Sequence, residues 1–284
     1  MAQFTNQAQL AYNDSVINSN IAVGEILEVL SATKTAVSDS YGADSNLTYV
    51  ISVVNSGAVP FTSLTVTDNL GAYTFGTSTL VPLTYNDGTV TYYINGILQP
   101  APAVTTSGTD LVISGINVPA NGNATIVYEA ATNRFASPEA GAEITNTVTV
   151  SGGGITPFTA TETVTAESEP ELSVTKSISP VPVTENGTLT YTFLIQNTGN
   201  APATAADLAA ITDTFNPTLS NLTVAFNGEA WTAPTDYTYD ETSGVFSSAP
   251  GLITVPAATF TQDATSGVWV TTPGVSTLTI TGTV

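Results

Sequence analysis

Two stretches of this chain carry the same landmarks at the same spacing, so a fold that suits one must also suit the other. Leu30-Ser31-Ala32-Thr33-Lys34 is answered by Leu172-Ser173-Val174-Thr175-Lys176, Leu47-Thr48-Tyr49 by Leu189-Thr190-Tyr191, and Asn55-Ser56-Gly57 by Asn197-Thr198-Gly199. Lysine to tyrosine is 15 positions in both copies, and lysine to asparagine is 21. Further on, Val66-Thr67-Asp68 matches Ile211-Thr212-Asp213 with three extra residues in the second copy, and Ala124-Thr125-Ile126 corresponds to Thr277-Leu278-Thr279-Ile280. Self-similarity of this kind predicts tandem copies of one structural unit.

The unit is built of strands. Thr, Val, Ser, Gly and Asn dominate, and runs such as Leu47-Thr48-Tyr49-Val50-Ile51-Ser52-Val53 alternate or are wholly apolar between short Gly, Asn and Pro clusters, the pattern of a half-buried sheet. Asn95-Gly96 and Asn227-Gly228 mark equivalent hairpin turns, since a type I′ turn needs positive φ at both central positions. Residues 205–210 are the only plausible helical piece, a turn or two at most. The expected class is all-β: two tandem immunoglobulin-like β-sandwich domains, long enough at 284 residues for two proper cores.

Leu-Thr-Tyr followed by Asn-Ser-Gly or Asn-Thr-Gly, then Val-Thr-Asp or Ile-Thr-Asp, and Ile144-Thr145-Asn146-Thr147-Val148, together resemble the bacterial surface repeat known as domain of unknown function eleven. The resemblance covers most of the chain. It implies an immunoglobulin-like sandwich of the kind found in Gram-positive surface and fibre proteins, and says little of function, because one sandwich hosts many activities.

The first copy closes with a hairpin that the second copy lacks. Glu143 to Val150 leads through a strand at Phe158–Ala166 into Leu172-Ser173-Val174-Thr175-Lys176, and the chain stops at Val284 with no such hairpin after the second copy. A near copy of the hairpin stands at the N-terminus. Phe4-Thr5-Asn6, within the strand-like run 3–12, leads through residues 20–25 into Leu30-Ser31-Ala32-Thr33-Lys34; Asn6 to Lys34 is 28 positions and Asn146 to Lys176 is 30. The expected organisation is a donor hairpin over residues 1–29, a first domain over 30–170, and a second domain over 171–284 that lacks its closing strands. A sandwich without its last strands exposes an edge that proteins normally cover. A hairpin that cannot reach its own second domain can reach a neighbour's, by donor-strand complementation with Phe4, Ala8, Leu10 and Tyr12 as donor residues, and a head-to-tail contact propagates into an open filament. The plainer expectation for residues 1–29 is a frayed tail or an extra edge hairpin of the first domain.

Composition removes several function classes. Against 23 acidic residues stand only three basic ones, giving a formal net charge of −20; such a surface repels nucleic acid and anionic membranes. Without Cys or His, disulfides, thiolate chemistry and the usual zinc ligand sets are excluded. Metals and cofactors are not expected. The 23 acids form no Asp-x-Asp-x-Asp-Gly calcium loop, no carboxylate pair stands out for glycoside hydrolysis, and the Asn-x-Thr sequons at Asn46, Asn123, Asn186 and Asn221 read as coincidence. Trp231, Trp269 and the eleven tyrosines read as sandwich core. The start Met1-Ala2-Gln3-Phe4-Thr5 has neither the basic nor the apolar region of a secretory leader. The expectation is an extracellular protein, at a cell or spore surface, released by lysis.

The remaining chemistry lies in the lysines. Residues two apart share a strand face, so Lys34 lies with Leu30, Ala32 and Ala36, and Lys176 with Leu172, Val174 and Ile178. Asp68 lies with Leu64 and Val66, Asp213 with Ile211 and Phe215, Asn146 with Ile144 and Val148, and Asn6 with Phe4, Ala8 and Leu10. Each domain is thus expected to bury one Lys, one Asp and one Asn. A buried lysine must be paired, neutralised or consumed. One reading is an ion pair hydrogen-bonded to the Asn. The other is an isopeptide bond, in which a desolvated amine attacks the carboxamide, a carboxylic acid kept protonated by the same apolar site promotes the attack, and ammonia leaves. Surface repeats that this one resembles carry such Lys to Asn crosslinks. By position the trios are Lys34, Asp68 and Asn146 in the first domain, and Lys176, Asp213 and the next subunit's Asn6 in the second, with Glu162 or Glu129 as other candidate acids. The protein is expected to be no enzyme beyond this self-reaction. Its partner would be itself, in a homopolymer with room for a separate anchor protein; the alternative is an adhesin or decoration module whose N-terminal tail docks on something else.

Overall fold

The computed structural model describes residues 2–284 and is all-β, with one 3-10 turn at Ala205–Asp207. The short helical piece expected at 205–210 is that turn. Two separate hydrophobic cores form, one from residues 41–166 and one from residues 189–280.

Around the first core, two sheets face each other. One runs in the order Ile97–Leu98, Thr91–Ile94, Gly122–Thr132, Asn46–Asn55, Leu30–Ala36; the other runs Ala103–Ser107, Asp110–Val118, Phe61–Asp68, Glu143–Gly152, Phe158–Ala166, Ser40–Tyr41. Strand alternation sorts the side chains. Along Asn46–Asn55, Leu47, Tyr49, Ile51 and Val53 are buried and the residues between them are not, as period two requires. The hairpin turns at Asn95-Gly96 and Asn227-Gly228 have positive φ at both residues, as a type I′ turn demands.

The second unit repeats the five-strand order of the first of these sheets, as Leu172–Ser179, Thr188–Asn197, Gly274–Thr283, Ser220–Phe226, Glu229–Trp231, without a counterpart of Leu83–Tyr85, which also pairs with Gly122–Thr132 in the first unit. Its facing sheet is shorter: Thr212–Thr214, Val245–Ser248 and Tyr237–Asp240. In the first unit the Asp68 strand is flanked on both sides, by Asp110–Val118 and Glu143–Gly152. Among the described residues, the Asp213 strand pairs on one side only, with Val245–Ser248. The strand ladders also correct the expected alignment of the two copies: Ile126 faces Ile51 as Leu278 faces Phe193, so Ile126 matches Leu278, and Tyr128 matches Ile280. Extra residues in the second copy had shifted the match by two.

An insertion unique to the second copy, the hairpin Thr259–Gln262 and Trp269–Thr272, reaches the first unit. Gln262 Nε2 donates to the Tyr73 hydroxyl at 2.8 Å, and the Trp269 amide donates to the Arg134 carbonyl at 3.2 Å.

The N-terminal segment forms a long hairpin. Ala2–Asn6 pairs with Ala22–Ile26, and Gln9–Tyr12 pairs with Ser15–Asn18 around a turn at Asn13-Asp14. The run 3–12 is therefore not one continuous strand. It breaks at Gln7 and Ala8, where the register slips by one (Asn6 opposite Ala22, Gln9 opposite Asn18), and Ser19 bridges the break by donating its amide to the Ala8 carbonyl. The ring of Phe4 lies over Gly24, filling the space a Cβ there would take.

Candidate functional site

In the first unit, Lys34, Asp68 and Asn146 meet between the two sheets. Lys34 comes from an edge strand of one sheet, Asp68 from the end of a central strand of the other, and Asn146 from the strand beside it. The side chains of Lys34 and Asp68 are wholly buried, and Nζ donates to Asp68 Oδ2 at 2.5 Å. The other carboxylate oxygen accepts from the Leu70 amide at 2.9 Å. The ammonium also lies over the ring of Tyr49, 4.7 Å from its centroid, where the negative π face favours a cation.

Tyr128 joins the three and was not expected. Its hydroxyl donates to Asp68 Oδ2 at 2.6 Å and receives hydrogen bonds from Lys34 Nζ at 3.2 Å and from Asn146 Nδ2 at 3.0 Å. Asp68 and Asn146 are joined through the phenol, which stands between acid and carboxamide. Amine and carboxamide are thereby held within reach of one shared oxygen. The Asn146 Oδ1 and Tyr49 hydroxyl are buried without a partner among the described residues, an arrangement that costs free energy unless a donor reaches the oxygen.

Burial, opposed by Asp68, lowers the Lys34 pKa from the ordinary 10.5 to about 8. The Tyr128 and Tyr49 hydroxyls are pushed up by burial, so both remain donors at neutral pH. The pocket therefore presents a nucleophile closer to its neutral form, a carboxylate able to shuttle its proton, and a carboxamide with an unpaired oxygen. Of the other candidate acids, Glu129 is exposed and faces Thr48, away from the pocket. Glu162 faces Asn146 across the ladder, is half-buried, and adds its charge to the field at Lys34.

The second unit has the same start of a site and lacks its completion. Lys176 is bonded to Asp213 Oδ2, and its ammonium is ringed by Tyr191 at 4.4 Å, Phe215 at 5.2 Å and Phe193 at 5.4 Å from their centroids. The place of Tyr128 is taken by Ile280, so no phenol reaches the acid from that rung. Among the described residues no amide side chain bonds to either member of the pair. The Lys176 side chain is 38% exposed and that of Asp213 18%, so the lysine expected in a core lies open. Leu172, Val174 and Ile178, on the same strand face, are exposed too.

Asn6 lies in the N-terminal hairpin, exposed, as are Phe4, Ala8, Leu10 and Tyr12. It faces Ala22 across the hairpin, sixteen positions on, and Asn146 faces Glu162, also sixteen positions on. Within the chain, Asn6 is not brought to Lys176. Among the described residues, no group of three or more His, Cys, Asp or Glu is arranged to hold a metal ion.

No protein-family model matches the chain, and no curated protein does. Solved structures similar to it include the pilus backbone RrgB of Streptococcus pneumoniae (12% identity, 86% of this chain and 55% of that one, TM-score 0.36), the major pilin subunit BcpA of Bacillus cereus (12%, 95% and 73%, 0.37) and a C-terminal fragment of the major pilin GBS80 of Streptococcus agalactiae (13%, 87% and 91%, 0.36). The chain spans little more than half of the first of these. Superpositions this loose carry no function across.

Proposed function

We propose that the protein is a structural subunit of an extracellular filament, which grows head to tail as each copy lays its N-terminal hairpin (residues 1–29) into the second domain (171–284) of the next. The first domain (30–170) closes on itself. Lys34 bonds covalently to Asn146 within it, with Asp68 as the promoting acid, and Lys176 bonds to the next copy's Asn6, promoted by Asp213. The filament belongs at a cell or spore surface.

One observation carries this reading: the open Lys176–Asp213 pair lacks a carboxamide and a covering strand, while a hairpin at the other end of the same chain presents a carboxamide in the register of the one that completes the first site. Strand addition supplies main-chain hydrogen bonds for affinity and side-chain pockets for register. Donor and acceptor are different surfaces, so the assembly is open-ended.

The test is electron microscopy of the purified chain, followed by boiling in detergent, electrophoresis and peptide mass spectrometry. The expected result is filaments that yield a ladder of covalent multimers, with Asn6 and Lys176 peptides joined at the cost of one ammonia. Filaments that dissolve to a single band would keep the assembly and remove the bond between subunits. A chain that stays monomeric at every concentration would overturn the reading in favour of a module that docks on a different partner.

A further inference from the structure

The two lysine sites differ in one respect that decides when each can react. Lys34 is sealed within its own domain, and its pocket is complete once that domain folds. Lys176 already holds its acid and its aromatic surround, yet more than a third of its side chain is open to water. Removal of water disfavours an ammonium next to a carboxylate and favours transfer of its proton. The open side of the pair is the one where Glu143–Gly152, with its carboxamide, stands in the first domain; there, among the described residues, the Asp213 strand has no neighbour.

We propose that the Lys176–Asp213 pair is a latent amide-forming centre, inert in a free subunit and switched on by a second copy's hairpin, which seals it from water and delivers the carboxamide in the same movement. This rests on the filament reading above and adds its order of events: docking first, chemistry second, and no carboxamide within reach of the amine in the unassembled chain.

The chemistry balances without a cofactor. On sealing, the Lys176 ammonium passes one proton to the Asp213 carboxylate. The Nζ lone pair attacks Cγ of Asn6, forming the Nζ–Cγ bond and placing negative charge on Oδ1, which the protonated acid stabilises by donation. Nζ passes a second proton to Nδ2, the Cγ–Nδ2 bond breaks as the Oδ1 charge collapses back to a carbonyl, and Nδ2 leaves as ammonia, which takes the proton from the acid to depart as ammonium. The carboxylate is restored and the charge of Lys176 is lost with the ammonium. Ile280, where the first site has Tyr128, keeps this site free of a phenol competing for Asp213. Seating the hairpin therefore supplies what that pocket lacks.

The experiment uses the full chain with Asn6→Ala, which removes the electrophile, and Asn6→Leu as a second variant that keeps the volume of the side chain. Each is treated with an acetylating reagent, N-hydroxysuccinimidyl acetate, either dilute and monomeric or after assembly, and acetylation of Lys176 is followed by mass spectrometry. The expected result is acetylation of Lys176 in the monomer, where its side chain is open to the reagent, and protection of about tenfold or more in the assembled variant, where the docked hairpin excludes the reagent. Equal acetylation in both states would overturn the docking switch while leaving the filament in place. Failure of the wild-type chain to assemble would instead remove the underlying reading. Covalent dimers appearing in wild-type protein held below its assembly concentration would also overturn the proposed order.

Discussion

Tyr128 and Ile280 occupy the same rung of equivalent ladders, Tyr128 opposite Tyr49 and Ile280 opposite Tyr191. The substitution changes a pocket held together by a phenol into one lined with hydrocarbon. It also makes the role of the phenol measurable. Tyr128→Phe leaves the Asn146 amide group without an acceptor and Asp68 Oδ2 with Lys34 alone, a loss of about 1–3 kcal/mol for an orphaned buried group. The expected outcome is a less stable first domain in urea and slower loss of one ammonia mass during refolding.

Removing the acid should cost more. In Asp68→Ala, Lys34 keeps its burial and loses its counter-charge, and breaking a buried pair this way costs about 3–5 kcal/mol. Intact mass should show no ammonia lost within the first domain, and the urea midpoint should fall. Asp68→Asn, which keeps the shape and hydrogen-bonding capacity, should recover part of the stability and none of the crosslink.

Bond formation in the first domain should depend on pH through the amine. Lys34 titrates near 8 in the folded protein, against 10.5 for an ordinary lysine. The neutral amine is the nucleophile, so the rate rises with pH through about 8 and levels off above it. At pH 7 about a tenth of the folded, unreacted chains carry the neutral form, the fraction expected one unit below a pKa. Refolding jumps into buffers from pH 6 to 10, quenched and weighed by mass spectrometry, trace the curve; a rise centred near 10.5 would show that burial does not set the reactivity.

Donor side chains should matter for assembly and not for folding. Phe4 and Leu10 are 54% and 63% exposed in the single chain, so Phe4→Asp and Leu10→Asp should leave the melting temperature within a degree or two of wild type. Each removes an apolar group worth about 1.5–3 kcal/mol when fully buried. Filament yield, read by sedimentation, should fall by at least tenfold for either.

Charge should make assembly salt-dependent. Two copies of net charge −20 repel one another, and that repulsion is screened as the Debye length shrinks from roughly 30 Å at 0.01 M to about 8 Å at 0.15 M. Growth followed by light scattering should accelerate over that range, the opposite of a contact made by opposite charges.

Much of this was legible in the residues. The repeated spacings name equivalent strands, and period two places Lys34, Asp68 and Asn146 on one inner side, where the structure has them. Tyr128 was not legible for a specific reason: length differences in the second copy slid Ile126 onto Ile280, and only the ladder shows that Tyr128 and Ile280 share a rung. The openness of Lys176 was half legible. Its strand face reads as core because its sequence is that of a core strand, and exposure depends on what packs opposite it, which a strand's own sequence does not carry. The break at Gln7 and Ala8 has no marker, since neither residue is a Gly or Pro; it follows from a slip in pairing, a property of two strands together.

Lys34 stands at the start of the first domain and Asn146 close to its end, and their meeting in one pocket would give the proposed filament a shortcut for mechanical load. With both bonds made, a pull entering at Asn6 runs 28 positions to Lys34, crosses to Asn146, and runs 30 positions to Lys176, where it passes to the next subunit. Residues 35–145 and 177–284 hang beside that line and bear no tension. The slack is limited to the two short spans, each roughly 100 Å if drawn straight; the second of them includes the closing strand Phe158–Ala166 of the first sandwich, while the strands between Lys34 and Asn146 are shielded from the pull.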